Sequence, residues 1–295
     1  MNQTMERQIR RTNRQIKRLY IAAADKAIRD AKSTLERLAM WQPDPRLGRM
    51  TPEQERRARA QNFERVNRET NLLGNMVREM AIAGTGATGL IDNSNTTIYQ
   101  HQYGSTARNI GKQAGMSIGG AAALSQDQAK RQLKNEQRSR AQARSRKRLA
   151  GLNGETRGRA NKKVRASILS GLENGESISN LANRVKSAFL GGNNALSAFD
   201  AKRIARTEAV RVLNQASSRA AEMLEKKFGI MTDKKWLSGH DEAVRAAHLA
   251  MDGVTVGRTE VFKTKLGDLL YPGDPNGEPA NVINCRCTHI YIVRL

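Results

Sequence analysis

The C-terminal part of the chain contains the stretch Trp236-Leu-Ser-Gly-His-Asp-Glu-Ala-Val-Arg-Ala-Ala-His-Leu-Ala-Met-Asp-Gly253, and it closes on Asn281-Val-Ile-Asn-Cys-Arg-Cys287. These two stretches hold both cysteines of the chain and two of its four histidines. Such side chains bind metals and transfer protons. Their concentration indicates that the rest of the chain is arranged around this part of the sequence.

The spacing within the first stretch predicts a helix over residues 241–251. Asp241, Arg245, His248 and Asp252 follow one another at intervals of four, three and four residues, which places them on one helical face. An arginine on that face favours a salt-bridge network with the aspartates. The alternative is that the aspartates and the histidine bind a catalytic metal, which would indicate a nuclease.

Short strands are predicted around this helix, at residues 234–237, 259–263 and 289–294, where the pattern is alternating or buried. The turn Pro272-Gly-Asp-Pro275 redirects the chain towards the cysteines. Together these elements predict a compact α+β domain over residues 229–295.

So small a domain often needs a metal or a covalent cross-link. Cys285, Cys287 and His248 predict a structural zinc site, because thiolate and imidazole are ligands that zinc prefers. A further ligand would come from a nearby residue: His240, Asp241 or His289. The alternative is that the two thiols are small buried hydrophobic side chains. A disulfide across one intervening residue would be strained.

These residues resemble the signature of the phage Mu F-like minor head proteins, a family that also includes the SPP1-type head morphogenesis proteins. The C-terminal part of the signature comprises Trp236, Asp241, Arg245, His248, Asp252, Gly253, Pro272 and the run from Asn284 to Cys287. An upstream part comprises Arg206, Thr207, Glu208 and Asn214. The resemblance covers roughly residues 170–290, under half of the chain.

The resemblance implies a minor capsid protein of a tailed phage that lies inside the head near the portal. It implies the portal protein, the major capsid or scaffold protein and double-stranded DNA as partners, with several copies per virion. The protein would act in head morphogenesis or DNA delivery after synthesis in the host cytoplasm, and we expect no enzymatic activity. We also expect Arg206, Thr207 and Glu208 to hydrogen-bond to the domain that follows and to hold it against their helix.

The composition describes a strongly basic chain with a thin, aliphatic core. Its 295 residues are 38% hydrophobic but only 4% aromatic, and the formal net charge is +23. Such a charge favours a polyanionic partner, namely nucleic acid or an acidic surface. No apolar run approaches the roughly 18 residues of a membrane span, and the N-terminus has no apolar signal core. We therefore expect no membrane partner and a location on the cytoplasmic side.

Residues 125–167 form the most charged segment. Between residues 130 and 165, fourteen cations stand against Glu136 and Glu155, which leaves a net charge of +12. A run like this binds duplex DNA strongly and without sequence preference, because each neutralised phosphate releases counterions. The alternative is a solvated segment that only keeps the chain soluble. The predicted DNA-binding residues are Lys130, Arg131, Lys134, Arg138, Arg140, Arg144, Arg146, Lys147, Arg148, Arg157, Arg159, Lys162, Lys163 and Arg165.

The N-terminal residues predict a helical hairpin. Apolar residues recur at helical spacing over residues 4–40, and two prolines within residues 41–45 end that helix. Thr51 and Gln54 form a capping box for a second helix, which is predicted to run to about residue 83. We expect a helical arm that packs on itself or on neighbouring copies.

Glycine and small polar residues dominate residues 84–124, which predicts a loop or closely packed helices. Gly84, Gly86 and Gly89 match the spacing of a dinucleotide fingerprint. They follow a helix and not a strand, so that function is disfavoured.

Amphipathic helices return after residue 162, and one long helix is predicted over residues 195–228. The predicted fold class is mainly α, with a small C-terminal α+β domain and an elongated helical N-terminal part. The predicted division is a helical N-terminal region with a Gly/Ala-rich segment at 1–124, the basic segment at 125–167, and a Mu F-like domain at 168–295 made of helices 168–228 and the α+β part 229–295.

Two other functions compete with the head-protein hypothesis. A metal-dependent nuclease would cleave plasmid DNA and lose that activity in His248→Ala. A general nucleic-acid-binding protein without a virion role would be absent from purified particles.

Overall fold

The computed structural model describes residues 3–40, 50–136, 140–191, 197–240 and 242–294. The predicted helix end at residues 41–45 lies outside the described residues, as do Arg138, Asp241 and the side chain of Arg140. Most of the described chain is helical, and a few short antiparallel strands lie near the C-terminus, which confirms the predicted fold class.

The helices occupy most of the first 228 residues. They are α1 Gln3–Ala39, α2 Pro52–Thr70, α3 Leu72–Gln113, α4 Gln126–Glu136, α5 Arg140–Leu149, α6 Gly154–Glu173, α7 Ile178–Leu190 and α8 Ala198–Phe228, with a 3-10 turn at Gly119–Ala122. Beyond them, β1 Thr232–Leu237, α9 Ala246–Leu249, β2 Thr255–Gly257, β3 Phe262–Thr264, β4 Gly267–Leu269, α10 Pro279–Val282 and β5 Thr288–Val293 follow in chain order. None of the described helices is long and apolar enough to cross a membrane.

Local sequence signals explain where two of these helices begin. The Thr51 hydroxyl accepts from the Gln54 N–H while the Gln54 side chain accepts from the Thr51 N–H, so the predicted capping box forms. Ser177 caps α7 in the same manner by accepting from the Asn180 N–H.

The predicted helix over residues 51–83 is wrong in its extent. Asn71 adopts a left-handed conformation with φ 49°, and it separates α2 from α3. Asparagine tolerates that conformation better than most residues, so the break occurs without glycine or proline. After the break, α3 runs well past residue 83 to Gln113.

The small-residue segment that begins at residue 84 is helical as far as Gln113, so the closely packed alternative holds there and the loop alternative is wrong. A Cβ atom on Gly84 would lie 1.9 Å from the Leu149 carbonyl oxygen, and one on Gly111 would lie 2.1 Å from the Ile118 side chain. Glycine therefore allows close backbone approach at these positions. The spacing of Gly84, Gly86 and Gly89 falls inside a helix and forms no phosphate-binding turn.

The chain divides into two compact units. One comprises Met1–Asn13, Gly89–Ser145 and Arg203–Leu295, and the other comprises Arg14–Thr88 and Arg146–Lys202. The residues of the basic segment are thus shared between the two units.

The described regular structure of the second unit is helical. The ion pair between Lys26 and Glu79 joins α1 to α3, and the ion pair between Arg165 and Glu64 joins α6 to α2. Helices α6 and α7 pack closely around a Gly171 that leaves no room for a side chain beside Leu181.

The first unit has two hydrophobic clusters. The larger packs the C-terminal half of α3 and the N-terminus of α1 against α8, with Tyr99, Leu213 and Leu224 at its centre. The smaller lies in the C-terminal α+β domain and comprises Trp236, Met251, Phe262, Leu269, Cys285 and Cys287.

The sheet of the C-terminal domain has the strand order β2-β1-β5, and both pairings are antiparallel. Strand β1 alternates between buried and half-buried residues, so that Thr232, Lys234 and Trp236 face inwards. A separate two-stranded sheet pairs β3 with β4. The predicted strands at 234–237, 259–263 and 289–294 correspond to β1, β3 and β5, with shifted ends.

The predicted helix over residues 241–251 is wrong. Only Ala246–Leu249 is helical, and Arg245 precedes it in an extended conformation with ψ 140°. Arg245, His248 and Asp252 therefore do not share the one helical face that their spacing had predicted.

Candidate functional site

A buried histidine–cysteine cluster is the most distinctive site of the C-terminal domain. His248 Nδ1 lies 3.5 Å from Cys285 Sγ and 3.6 Å from Cys287 Sγ. The donor atoms of the three residues all lie within 4.8 Å of one another. His248 is 1% exposed and each cysteine is 2% exposed, so the cluster is closed to solvent. The structure therefore brings together the three residues that the sequence predicted as zinc ligands.

Two short turns position the ligands. Helix α9 places His248 on its inner side, where the Trp236 ring meets the imidazole edge-on at a centroid distance of 5.5 Å. Asn284 adopts a left-handed conformation with φ 60° just before the cysteines, and the Cys285 N–H donates to the Val282 carbonyl. The two thiols are thereby turned towards His248.

The other ring nitrogen of His248 has a fixed partner. Nε2 lies 2.7 Å from the Oδ1 atom of Asn281, which is completely buried. The Asn281 amide nitrogen donates to Thr264 Oγ1 and to the Gly267 carbonyl, both at 3.0 Å. Because the amide nitrogen is used in this way, Oδ1 must accept, and Nε2 must carry the proton.

The two thiols differ in acidity. A hydrogen bond from Cys285 lowers the pKa of Cys287 to about 5, and the approach of His248 acts in the same direction. The same hydrogen bond, reinforced by burial, raises the pKa of Cys285 well above its usual value. Cys287 is therefore the more acidic of the two thiols.

Other residues of the stretch 236–253 stabilise the loop around the cluster. Asp252 Oδ1 accepts from the Ser238 N–H at 2.7 Å, and this bond lowers the pKa of the Asp252 carboxyl. His240 Nε2 lies 3.3 Å from the other Asp252 oxygen. Arg245 donates to the Ile283 carbonyl, next to the cysteine turn. Gly253 has φ 80° and donates to the Trp236 carbonyl, so a side chain there would strain the backbone.

Helix α8 contacts the cysteine turn through two neighbouring residues. The Thr207 hydroxyl accepts from the Asn284 N–H at 3.0 Å and donates to the Arg203 carbonyl at 2.9 Å. Arg206 donates to Asn284 Oδ1 at 3.2 Å. These bonds tie α8 to the segment that carries both cysteines.

Glu208 has a different set of contacts. It forms a buried ion pair with Arg211 one turn along α8, and Gln142 of α5 donates to the same carboxylate oxygen at 3.3 Å. Its side chain thus joins α8 to α5 and not to the C-terminal domain.

Asn214 is the polar centre of the contact between α8 and the C-terminal domain, and it is completely buried. Its amide nitrogen donates to the Pro272 carbonyl at 2.8 Å and to the Cys287 carbonyl at 3.2 Å. Its amide oxygen lies 2.9 Å from Thr288 Oγ1 and 3.2 Å from His289 Nδ1. One side chain thus holds the Pro272 turn and the start of β5.

Two further polar residues of this domain are buried: Lys234, which was not a predicted site residue, and His289, which was predicted only as one alternative for a further zinc ligand. Lys234 Nζ donates to the Leu270 carbonyl at 2.7 Å and lies over the Phe262 ring, and burial lowers its pKa to about 8. His289 is fully enclosed, and burial lowers its pKa to about 3. Both positions fall within predicted strands, but only the structure supplies their partners.

The basic segment presents much of its charge to solvent. Helices α4, α5 and α6 carry the predicted DNA-binding residues that the structure describes. Some are used locally: Arg157 donates to the Gly151 carbonyl, Arg159 pairs with Glu155, and Arg165 pairs with Glu64. Six other exposed cations among the described residues of the segment are Lys130, Arg131, Lys134, Arg144, Lys147 and Lys162.

Sequence reasoning missed a second cationic face, on α1. Its members are exposed and recur at steps of three and four residues: Arg7, Arg10, Arg11, Arg14, Lys17 and Arg18. The buried residues Ile9, Ile16 and Tyr20 lie on the opposite side of the helix. Helical spacing of the cations, set against the apolar positions, was the signal that would have found this face.

Comparisons with known proteins agree with the resemblance in the motif residues. Residues 162–290 match the family described as Phage Mu protein F like protein. The chain is also 31% identical over 130 residues to Minor head protein GP7 of Bacillus phage SPP1. That match covers 44% of this chain and 40% of the relative, so the chain spans less than half the length of that relative. No solved structure matches the chain. The predicted resemblance to the family is confirmed over this region.

Proposed function

We propose that this chain, which carries a phage Mu F-like region at residues 162–290, is a minor head protein of a tailed phage. The observation that carries the proposal is its 31% identity to Minor head protein GP7 over 130 residues. The protein docks to the portal protein or to the inner wall of major capsid or scaffold subunits, in several copies per virion. It is made in the host cytoplasm and acts in head morphogenesis or in DNA delivery.

The roles of the motif residues support a structural function. Thr207 and Asn214 hold α8 to the C-terminal domain, and Asp252 holds the loop before α9. Groups that are used for internal hydrogen bonds in this way stabilise a scaffold.

The same contacts argue against a nuclease. His248 is buried between two thiols and an amide, and Asp252 is held by a backbone N–H group and His240. We therefore propose that the protein has no enzymatic activity. A structural zinc ion bound by the buried cluster would serve the same purpose as the motif contacts, since a domain this small has a thin core.

Duplex DNA is the proposed partner of the basic segment. Of the six exposed cations named above, five lie on the short helices α4 and α5, and Lys162 lies on α6. Such a surface gains little from packing and much from the release of counterions when it meets phosphates. The packaged genome is the polyanion that a protein inside a phage head meets.

Purified particles test the proposed function. Phage particles from cells that produce the protein are separated on a density gradient, and the fractions are probed with an antibody against the chain. We expect the protein to co-sediment with filled heads and with empty proheads, because docking to capsid subunits precedes DNA entry. A chain that stays in the soluble lysate, while the major capsid protein sediments, would contradict the proposal.

A matched variant separates docking from DNA contact. The six exposed cations of the basic segment are replaced by glutamine, and the same gradient is run. We expect this variant to remain in the particles, since its α8 and C-terminal domain are unchanged. Loss of the variant from both kinds of particle would show that the basic segment docks to the capsid and does not serve DNA.

A further inference from the structure

We propose that His248, Cys285 and Cys287 bind a zinc ion, a role that goes beyond the proposed place in the virion and does not depend on it. The donor set has two sulfurs and one nitrogen, which suits zinc and excludes the oxygen-preferring magnesium and calcium ions.

The spacing of the donor atoms fits tetrahedral zinc. Zinc lies about 2.3 Å from a thiolate sulfur and about 2.0–2.1 Å from an imidazole nitrogen, so a tetrahedral angle separates sulfur from nitrogen by about 3.5 Å. His248 Nδ1 lies 3.5 Å and 3.6 Å from the two sulfurs. Both sulfur–nitrogen distances therefore match those of ligands that share one zinc ion.

The orientation of His248 also fits a metal ligand. Asn281 uses its amide nitrogen on Thr264 and Gly267, so its oxygen accepts the proton of Nε2. The lone pair is then on Nδ1, the atom that faces both thiols. Metal-binding histidines are commonly held in this way by a partner on the second ring nitrogen.

The surroundings of the two sulfur atoms also support a bound metal ion. The Cys287 N–H donates to Cys285 Sγ at 3.4 Å, so a backbone hydrogen bond helps to hold this sulfur beside His248. Arg245 lies near the same turn and donates to the Ile283 carbonyl. Two adjacent thiolates in a closed cluster repel each other, and a divalent cation removes that repulsion.

A bound ion would join parts of the domain that are distant in the sequence. His248 belongs to α9, whereas both cysteines lie just before β5. The cluster lies in a hydrophobic core of six buried residues, so the link stabilises a small region that packing alone stabilises weakly. The described residues supply three donors, and the fourth position of a tetrahedral ion takes water or another donor.

The metal content of the full chain tests the proposal. The protein is purified without chelators, its zinc is counted by mass spectrometry, and the metal-free protein is titrated with Co²⁺. We expect about one zinc per chain, and with Co²⁺ the ligand-field bands of a tetrahedral site together with thiolate charge-transfer absorption. A folded chain that binds no zinc and gives no thiolate–Co²⁺ band would overturn the proposal and leave a metal-free hydrogen-bonded cluster.

Variants of the full chain identify the ligands. Cys287→Ser is expected to abolish the thiolate–Co²⁺ spectrum of the wild-type site, whereas His101→Ala, the change of an exposed histidine on α3, leaves it intact. Asn281→Ala is expected to weaken zinc binding by about 10–100-fold, and Asn281→Asp, which keeps an acceptor for Nε2, to restore most of it. Unchanged zinc affinity in Cys287→Ser, in protein with a wild-type circular dichroism spectrum, would overturn the assignment.

Discussion

The C-terminal domain and the basic segment use polar residues in opposite ways. In the C-terminal domain Asn281 and His248 are buried, as is Asn214 of α8 at its contact with that domain, and each is paired with named partners. In the basic segment Lys130, Arg144 and Lys147 are exposed. The first region therefore uses its polar groups for hydrogen bonds within its own fold, whereas the second presents its charged groups to solvent.

This difference predicts where a substitution changes stability and where it changes binding. Removing one partner of a buried polar contact leaves the other partner desolvated and unpaired, which is costly. Removing an exposed cation costs little stability but removes a charge that a polyanion would neutralise.

The largest expected loss comes from Glu208→Ala. Arg211 would then be buried without its counterion, so we expect the free energy of unfolding to fall by about 3–5 kcal/mol. Urea denaturation of the full chain measures this. Glu222→Ala is the matched control, because that carboxylate forms ion pairs on the exposed side of the same helix and is expected to cost less than about 1 kcal/mol. Equal losses in the two variants would contradict the comparison.

The next largest loss of stability is expected when the pH is lowered, and it comes from His289. Burial lowers its pKa to about 3, whereas a histidine in the unfolded chain has its ordinary value near 6.5. The unfolded chain therefore binds a proton that the folded chain does not, and this contribution to stability is lost as the pH falls from 6.5 towards 3.

Urea denaturation at pH 7 and at pH 5 measures the effect of His289. We expect His289→Gln to lose less stability between these two pH values than the wild type. His101→Gln, which alters an exposed histidine, should follow the wild-type curve. A pH dependence that is the same in all three proteins would show that His289 is protonated in the folded chain.

A smaller loss is expected for Thr207→Val. The substitution keeps the shape of the side chain but removes the acceptor of the Asn284 N–H, so we expect a loss of about 1 kcal/mol. Thr97→Val is the matched control, since Thr97 makes only the bond to the carbonyl four residues earlier within its helix. If Thr97→Val costs as much as Thr207→Val, the contact between α8 and the cysteine turn contributes nothing measurable.

The smallest effects on stability are expected in the basic segment. Arg144→Gln and Lys147→Gln should each change the free energy of unfolding by less than about 0.5 kcal/mol, because both side chains are exposed. A loss above 1.5 kcal/mol in thermal or urea denaturation would place these residues among the contacts that hold the fold.

Much of the helical architecture was predictable from local signals. Thr51 with Gln54, and Ser177 before α7, marked helix starts that the structure has. The residues of the histidine–cysteine cluster were also predictable, since cysteine and histidine are few in this chain. These signals depend on residue type and short spacing, which the sequence contains in full.

The errors came from contacts between distant residues. The spacing of Arg245, His248 and Asp252 fits a helix, but Asp252 is held by the Ser238 N–H and Arg245 by the Ile283 carbonyl. These bonds favour a turn followed by a single helical turn. In α3, Gly84 fits against the Leu149 carbonyl, so tertiary packing outweighs the low helix propensity of glycine.

Our central proposal is that the basic segment contacts duplex DNA directly. The net charge of the whole chain would then not account for DNA binding by itself. Two variants of the full chain, each with six cations replaced by glutamine, have equal net charge. One alters the exposed cations of the basic segment, and the other alters the α1 face that runs from Arg7 to Arg18. The affinity for duplex DNA is measured across a salt series.

We expect the basic-segment variant to lose most of the salt dependence of DNA binding. The slope of log affinity against log salt concentration should fall in magnitude by about 0.9 for each lost phosphate contact. The α1 variant should keep most of the wild-type slope. Equal slopes in the two variants, or wild-type binding by the basic-segment variant, would contradict the claim.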